Sequence, residues 1–161
     1  MVIYFSILKP MRCCWALFIL ITIFILSSEC PAQSRKDSTD VLNAFNRYIH
    51  FVSRMESDSI AALFAQNGVL VKSQSELIIG PTAILEYLQT FRAYNVLSHR
   101  MESDSMFIKG DTGWQKGRYW QQVRIPSGDT IKVEGRFHID WQRAKKEGWR
   151  IQRMSTSPAK Q

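Results

Sequence analysis

Between Ile131 and Trp141 the chain alternates. Ile131, Val133, Phe137, Ile139 and Trp141 fall on one side, and Lys132, Glu134, Arg136, His138 and Asp140 on the other. Successive side chains of an extended backbone point to opposite faces, so this pattern predicts an antiparallel strand buried on one side and wet on the other. Such a strand requires a sheet with one covered face. Gly135 interrupts the apolar side and reads as a bulge or bend that curves the sheet.

The neighbouring segments supply the rest of that sheet. From Val96 onward the period is two, and Leu97, His99, Met101, Ser103, Ser105 and Phe107 share one face of a long strand. Gly110-Asp111 turns it back into a strand over Trp114–Ile125, and Pro126-Ser127-Gly128-Asp129 makes the next turn. Trp149-Arg150-Ile151-Gln152 is the last strand.

The first half reads as helices. Asp37, Ser38, Thr39 and Asp40 offer N-caps, after which Val41, Phe45, Ile49 and Val52 recur at helical spacing, with Leu42, Tyr48 and Met55 widening the stripe. Ser57-Asp58-Ser59 starts a shorter helix over Ile60–Ala65, closed by Asn67-Gly68. Val69-Leu70-Val71 begins a strand that runs loosely to Ile79. Gly80-Pro81 then opens a third helix whose buried face carries Ile84, Leu88 and Phe91. The expected class is α+β, a curved antiparallel sheet wrapped round three helices, a shape that encloses a pocket.

Ahead of this domain lies an address. Lys9 and Arg12 precede an apolar run from Cys13 to Leu26, and Ser27-Ser28 break it. A basic start, about 7–15 apolar residues and a small-residue site make a secretory signal. The run is shorter than the roughly 20 residues that span a bilayer. Cleavage is expected after Ala32, and Met11 offers a second starting point. A retained anchor and a lipoprotein at Cys30 are the rivals, the latter weakened by the bulky Glu29 before the cysteine. The organisation is then a signal over 1–32, a flexible N-terminus over 33–37 and one domain over 38–158.

Cleavage would remove Cys13, Cys14 and Cys30, all the cysteines there are, so the exported domain would hold no disulfide, thiolate nucleophile or cysteine metal ligand. It would also take Lys9, Arg12 and Glu29, changing the net charge from +7 to +6. The cations are spread and mostly alternate with acids. Only Arg143, Lys145 and Lys146 cluster, at a hairpin tip, which argues against nucleic acid as a partner. Membrane contact is expected only through the signal before cleavage. Arg-Met-Glu-Ser-Asp-Ser occurs at 54–59 and again at 100–105, in unlike surroundings, and reads as coincidence.

Several segments in this order resemble the nuclear transport factor 2-like superfamily, in its SnoaL-like branch of polyketide cyclase and ketosteroid isomerase relatives. They are Ala62–Val69, Ile79–Ile84, Gly113–Tyr119, Gly135-Arg136-Phe137 with Trp141, and Gly148–Ile151. The resemblance covers about residues 38–157. It implies a cone with a pocket at its open end, and dimerisation, often through the sheet. It also implies a general base on or near the strand after the short second helix. Here that stretch offers Ser73 and, in a loose turn, Glu76, and serine alone cannot abstract a proton beside a carbonyl.

Candidate residues follow from the pattern and the resemblance together. His99 shares a face with Leu97 and Met101 and is placed to enter the pocket as acid, base or ligand contact, or to be a core histidine. Tyr48 is placed to donate to a ligand carbonyl, as a tyrosine does in the isomerase relatives, or simply to pack. With Ser73, Trp120, Phe137 and Trp141 these make the ligand-binding set. If the protein is an enzyme, Tyr48, His99 and Glu76 are its donor, acid/base and auxiliary base. No metal site and no cofactor are expected, since His50, His99 and His138 are scattered and there is no phosphate-cradling or dinucleotide glycine motif. Three functions stay open: a pocket for a small apolar or amphipathic molecule, an isomerase or lyase acting on a small carbonyl or hydroxyl compound, and a dimerisation module.

Overall fold

The computed structural model describes residues 31–72 and 76–159. Its elements run α1 (Pro31–Ser53), α2 (Ser57–Ala62), β1 (Phe64–Val71), β2 (Leu77–Ile79), α3 (Pro81–Gln89), β3 (Asn95–Lys109), β4 (Thr112–Arg124), β5 (Thr130–Ala144) and β6 (Gly148–Pro158). The strands form one curved sheet in the order β2-β1-β6-β5-β4-β3. Strands β3 to β6 are antiparallel neighbours, as the turns between them predict. One seam is parallel: β1 pairs with β6, the two strands most distant in sequence on that side. The class is α+β, with a mixed sheet.

The alternation in β5 sorts as expected. Phe137, Ile139 and Trp141 are buried at 3%, 0% and 2% exposure, against the helices. Across β4 and β5 small residues oppose large ones on this inner face: Gly113 faces Trp141, Gly117 faces Phe137, and Tyr119 faces Gly135. Helix α1 lies over them through Val41, Ala44 and Phe45, whose ring meets Phe137 at 5.4 Å between centroids. Pairing is unbroken through Gly135, so this glycine is not a bulge. It is a close approach: a Cβ there would fall on the Ser157 carbonyl oxygen of β6.

Strand β3 departs from simple alternation. Register shifts lie between Val96 and Ser98 and between Ser103 and Ser105. An extra residue at each break turns the following side chains to the other face. Val96, His99, Met101, Met106 and Ile108 therefore face inward, whereas Leu97 and Phe107 are exposed. Phe107 instead stacks on Trp114 across the outer face, at 6.3 Å between ring centroids.

Helix ends also moved. The short helix stops at Ala62, and Phe64 already belongs to β1, because Leu63 and Phe64 are both buried and the Leu63 carbonyl accepts from Ile151 N–H. Gly68 lies within β1 rather than capping a helix. A Cβ there would come 2.7 Å from the Ile151 carbonyl oxygen. The loose strand to Ile79 is two strands, joined where Lys72 N–H donates to the Glu76 carbonyl. Pro81 opens α3 as expected, behind Gly80 at φ 84°.

The segment 33–37, expected to be flexible, is part of α1, and its Asp37 is 5% exposed. Asp37 pairs with Arg143 of β5, whose guanidinium lies 4.8 Å from the Trp149 ring centroid of β6. Arg143 also donates its backbone N–H to Asp111 in the β3–β4 turn. This junction ties α1 to two strand ends. The expected signal over 1–32 lies outside the described residues except for Pro31 and Ala32.

Candidate functional site

The helices and the inner face of the sheet do not close on each other everywhere. Beyond the Phe45–Phe137 contact, a cavity of about 310 Å³ remains, at the small end of the usual range for ligand pockets. Tyr48, Val52 and Met55 of the α1 stripe and the turn after it form one wall. Met55 sits at φ 53°, a left-handed conformation that ends the helix and directs the chain into α2. Ile60 of α2 and Leu88, Phe91 and Tyr94 at the end of α3 add a second wall. The floor is the sheet: Val96 of β3, Gln121 and Val123 of β4, Ile131 and Val133 of β5.

Tyr48, Tyr94 and Gln121 supply the side-chain polar groups of this lining, and no acidic or basic residue is among its residues. Burial holds the Tyr48 phenol well above its ordinary range, so it stays a neutral hydroxyl that can donate. His99 stands one strand over from the floor. It is the cross-strand partner of Gln121, which in turn faces Val133, giving an inward row His99–Gln121–Val133. Neither ring nitrogen of His99 has a hydrogen-bond partner among the described residues. Burial lowers its pKa from 6.5 to about 4, which keeps the imidazole neutral at neutral pH.

The other expected site residues lie elsewhere. Glu76 is exposed, with its carboxylate 2.7 Å from Lys72 Nζ, and does not line the cavity. Tyr48, His99 and Glu76 therefore do not assemble as a three-residue catalytic group. Ser73 lies outside the described residues. Phe137 and Trp141 are core, and Trp141 Nε1 donates to Gln115 Oε1 at 3.2 Å.

Trp120 is on the outer face. The guanidinium carbons of Arg100 and Arg118 lie 5.6 and 5.5 Å from its ring centroid. Even-numbered residues of β4 point outward: Trp114, Lys116, Arg118 and Trp120. Odd-numbered ones point inward: Gln115, Tyr119, Gln121 and Val123. Gln121 and Tyr94 were not expected. The signal for Gln121 was available, because Lys116 and Arg118 fix the outer parity of the strand and leave Gln121 inside.

Two wider depressions, of about 620 and 600 Å³, share Arg136, Ser157 and Pro158. Their walls carry Arg118 and Glu134 in one and Lys72, Lys116 and His138 in the other. Both set charged side chains into their walls, whereas the smaller cavity has none and combines apolar side chains with a few polar groups, so it is the candidate.

A SnoaL-like domain model matches residues 33–155. Among solved structures, a ketosteroid isomerase-like protein from Erwinia carotovora atroseptica is similar at 13% identity and TM-score 0.69, covering 76% of this chain and 96% of that one. A nuclear transport factor 2-like superfamily protein from Salmonella enterica serovar Typhimurium is similar at 16% identity and TM-score 0.68, covering 79% and 94%. A protein from Novosphingobium aromaticivorans, described as NTF2-like with a cystatin-like fold, is similar at 17% identity and TM-score 0.67, covering 79% and 84%. At such identities the likeness is one of fold. No curated protein sequence matches the chain.

Proposed function

The chain belongs to the SnoaL-like domain family, and from that premise we propose that it binds a small, mostly apolar molecule in the cavity between its helices and the inner face of its sheet. The observation that carries this reading is the lining: nine apolar side chains with Tyr48, Tyr94 and Gln121 set among them. A ligand there gains from leaving water, and the three polar groups orient it. A ligand that binds only the folded state stabilises it by RT ln(1 + [L]/Kd), about 2.7 kcal/mol at a hundredfold excess over Kd. Thermal unfolding against a library of neutral aromatic and alicyclic compounds is the test. Raised melting temperatures that Val133→Trp abolishes by filling the cavity are expected. A library without a single stabilising member rejects the proposal.

A catalytic reading is favoured by one observation, the unpaired imidazole of His99 beside Gln121. In it Tyr48 donates to a carbonyl and neutral His99 takes the adjacent proton. The cavity lining contains no Asp or Glu, and His99, one strand beyond that lining, would have to reach the substrate past Gln121 to act as the base. Exchange of α-protons of small ketones in deuterated water, followed by NMR, tests it. No acceleration over a His99→Leu variant removes it.

Export after cleavage near Ala32 and a homodimer joined through the outer sheet face complete the proposal. That face carries Arg100, Arg118 and Arg136 beside Glu102 and Glu134, charges of both signs that a twofold axis can pair.

A further inference from the structure

Resting on the binding reading above, we infer that the cavity selects uncharged ligands that carry a hydrogen-bond donor and acceptor side by side, as a primary amide, lactam or hydroxy-ketone does, and that Gln121 with His99 behind it reads that group. The wall of the cavity is uncharged. Twelve residues line the cavity and none is acidic or basic. A carboxylate or ammonium brought there would lose its water without gaining a counter-charge, and such a burial is costly.

A polar row crosses the floor. Gln121 lines the cavity, and its amide presents both a donor and an acceptor. His99 is paired with it across β3 and β4, on the same inward face. A neutral imidazole likewise offers one donor and one acceptor, and here both ring nitrogens are without partners among the described residues. Buried polar groups are nearly always satisfied, so an unsatisfied imidazole one strand beyond the lining residue Gln121 leaves capacity for a network that a ligand bound at Gln121 would complete. The Tyr48 hydroxyl on the opposite wall supplies a further donor.

Size narrows the class further. A volume of about 310 Å³ admits one or two rings with a short polar substituent.

The test uses three probes of one shape on the purified chain: cinnamamide, cinnamate and propenylbenzene, titrated calorimetrically near neutral pH. Cinnamamide is expected to bind at least about tenfold more tightly than cinnamate. Gln121→Met should bring the amide down to the level of the hydrocarbon. His99→Leu should weaken the amide several-fold while leaving propenylbenzene unchanged, and it keeps the test alive if the Gln121 variant does not fold. Cinnamate bound as tightly as cinnamamide overturns the inference, as does an amide preference that survives both substitutions. If propenylbenzene alone binds, the polar reading is overturned and the cavity proposal stands. If none of the three binds, the inference falls, and the cavity proposal is decided by the compound library.

Discussion

Replacing His99 by leucine separates a structural histidine from one held for a ligand, and the two outcomes have opposite signs. The ring is buried and neither nitrogen is paired among the described residues. Leucine of similar volume removes the unpaired polar atoms without opening a large hole. At neutral pH the variant should be as stable as the parent or more stable by about 1–2 kcal/mol. That corresponds to roughly 3–8 °C in melting temperature for a domain of this size. The pH dependence is more diagnostic. The folded-state pKa is lowered from 6.5 to about 4, so in this window the unfolded chain binds the proton and the folded chain does not. Stability is therefore full above the unfolded value and is lost as pH falls through the folded value. Between roughly pH 7 and pH 4.5 the loss from this group alone amounts to about 2 kcal/mol. Carboxylates titrate nearby, so the quantity to measure is the difference between parent and His99→Leu in urea unfolding at the two pH values. The variant should lose about 2 kcal/mol less on acidification. Equal losses, or a variant destabilised at neutral pH, would show that the imidazole has a partner, and the reading of the cavity floor would be wrong.

Three further outcomes test the frame around the site. Asp37→Asn leaves the partly buried Arg143 guanidinium against Trp149 with only the exposed Asp111 carboxylate, 3.7 Å from Nε, and should cost about 1–3 kcal/mol in denaturant unfolding; a loss under half a kcal/mol would show that α1 is not anchored there. Gly135→Ala places a methyl group on the Ser157 carbonyl oxygen, which belongs to backbone and cannot swing aside, so a loss of about 2–3 kcal/mol or failure to fold is expected, and a neutral result would contradict the β5–β6 geometry. Self-association through the outer face predicts a particle of twice the chain mass by sedimentation at micromolar concentration, reverting to one chain with Arg118→Glu; a monomeric parent rejects the dimer.

The fold was legible where one physical constraint acted alone. The turn residues and the alternation over 131–141 placed β4, β5 and β6 in register order, because a one-residue slip would have exposed Phe137, Ile139 and Trp141 together. Pro81 and the Ile84 stripe placed α3 for the same reason. The sequence was less readable where tertiary contact overrode a local signal. Asn67-Gly68 has the composition of a helix end, yet the parallel pairing of β1 with β6 claims it for the sheet, and no short-range pattern announces a partner so distant in sequence. Asp37 looks like an exposed cap until Arg143 is brought to it from β5. The flexible lead-in was in fact anchored.

Aromatic residues were hard to place for a related reason. Trp120 stands in the expected ligand-binding set with Phe137 and Trp141. Its parity within β4 assigns it to the side of Lys116 and Arg118, where two guanidinium groups approach its ring. Ring size states how much surface must be covered, whereas parity states by what. The same parity puts Gln121 inside, an uncharged polar residue at a position where packing alone would favour valine or leucine. In β3 two bulges reset the parity, and His99 and Met101 stay inward only because both lie between the breaks. Gln121 and His99 are thus polar residues held on an apolar face by backbone geometry, where each local rule of burial argues against them. Sequences depart from such rules chiefly where function requires it. That departure, more than the presence of a hollow, is the reason to seek a ligand at the row they form.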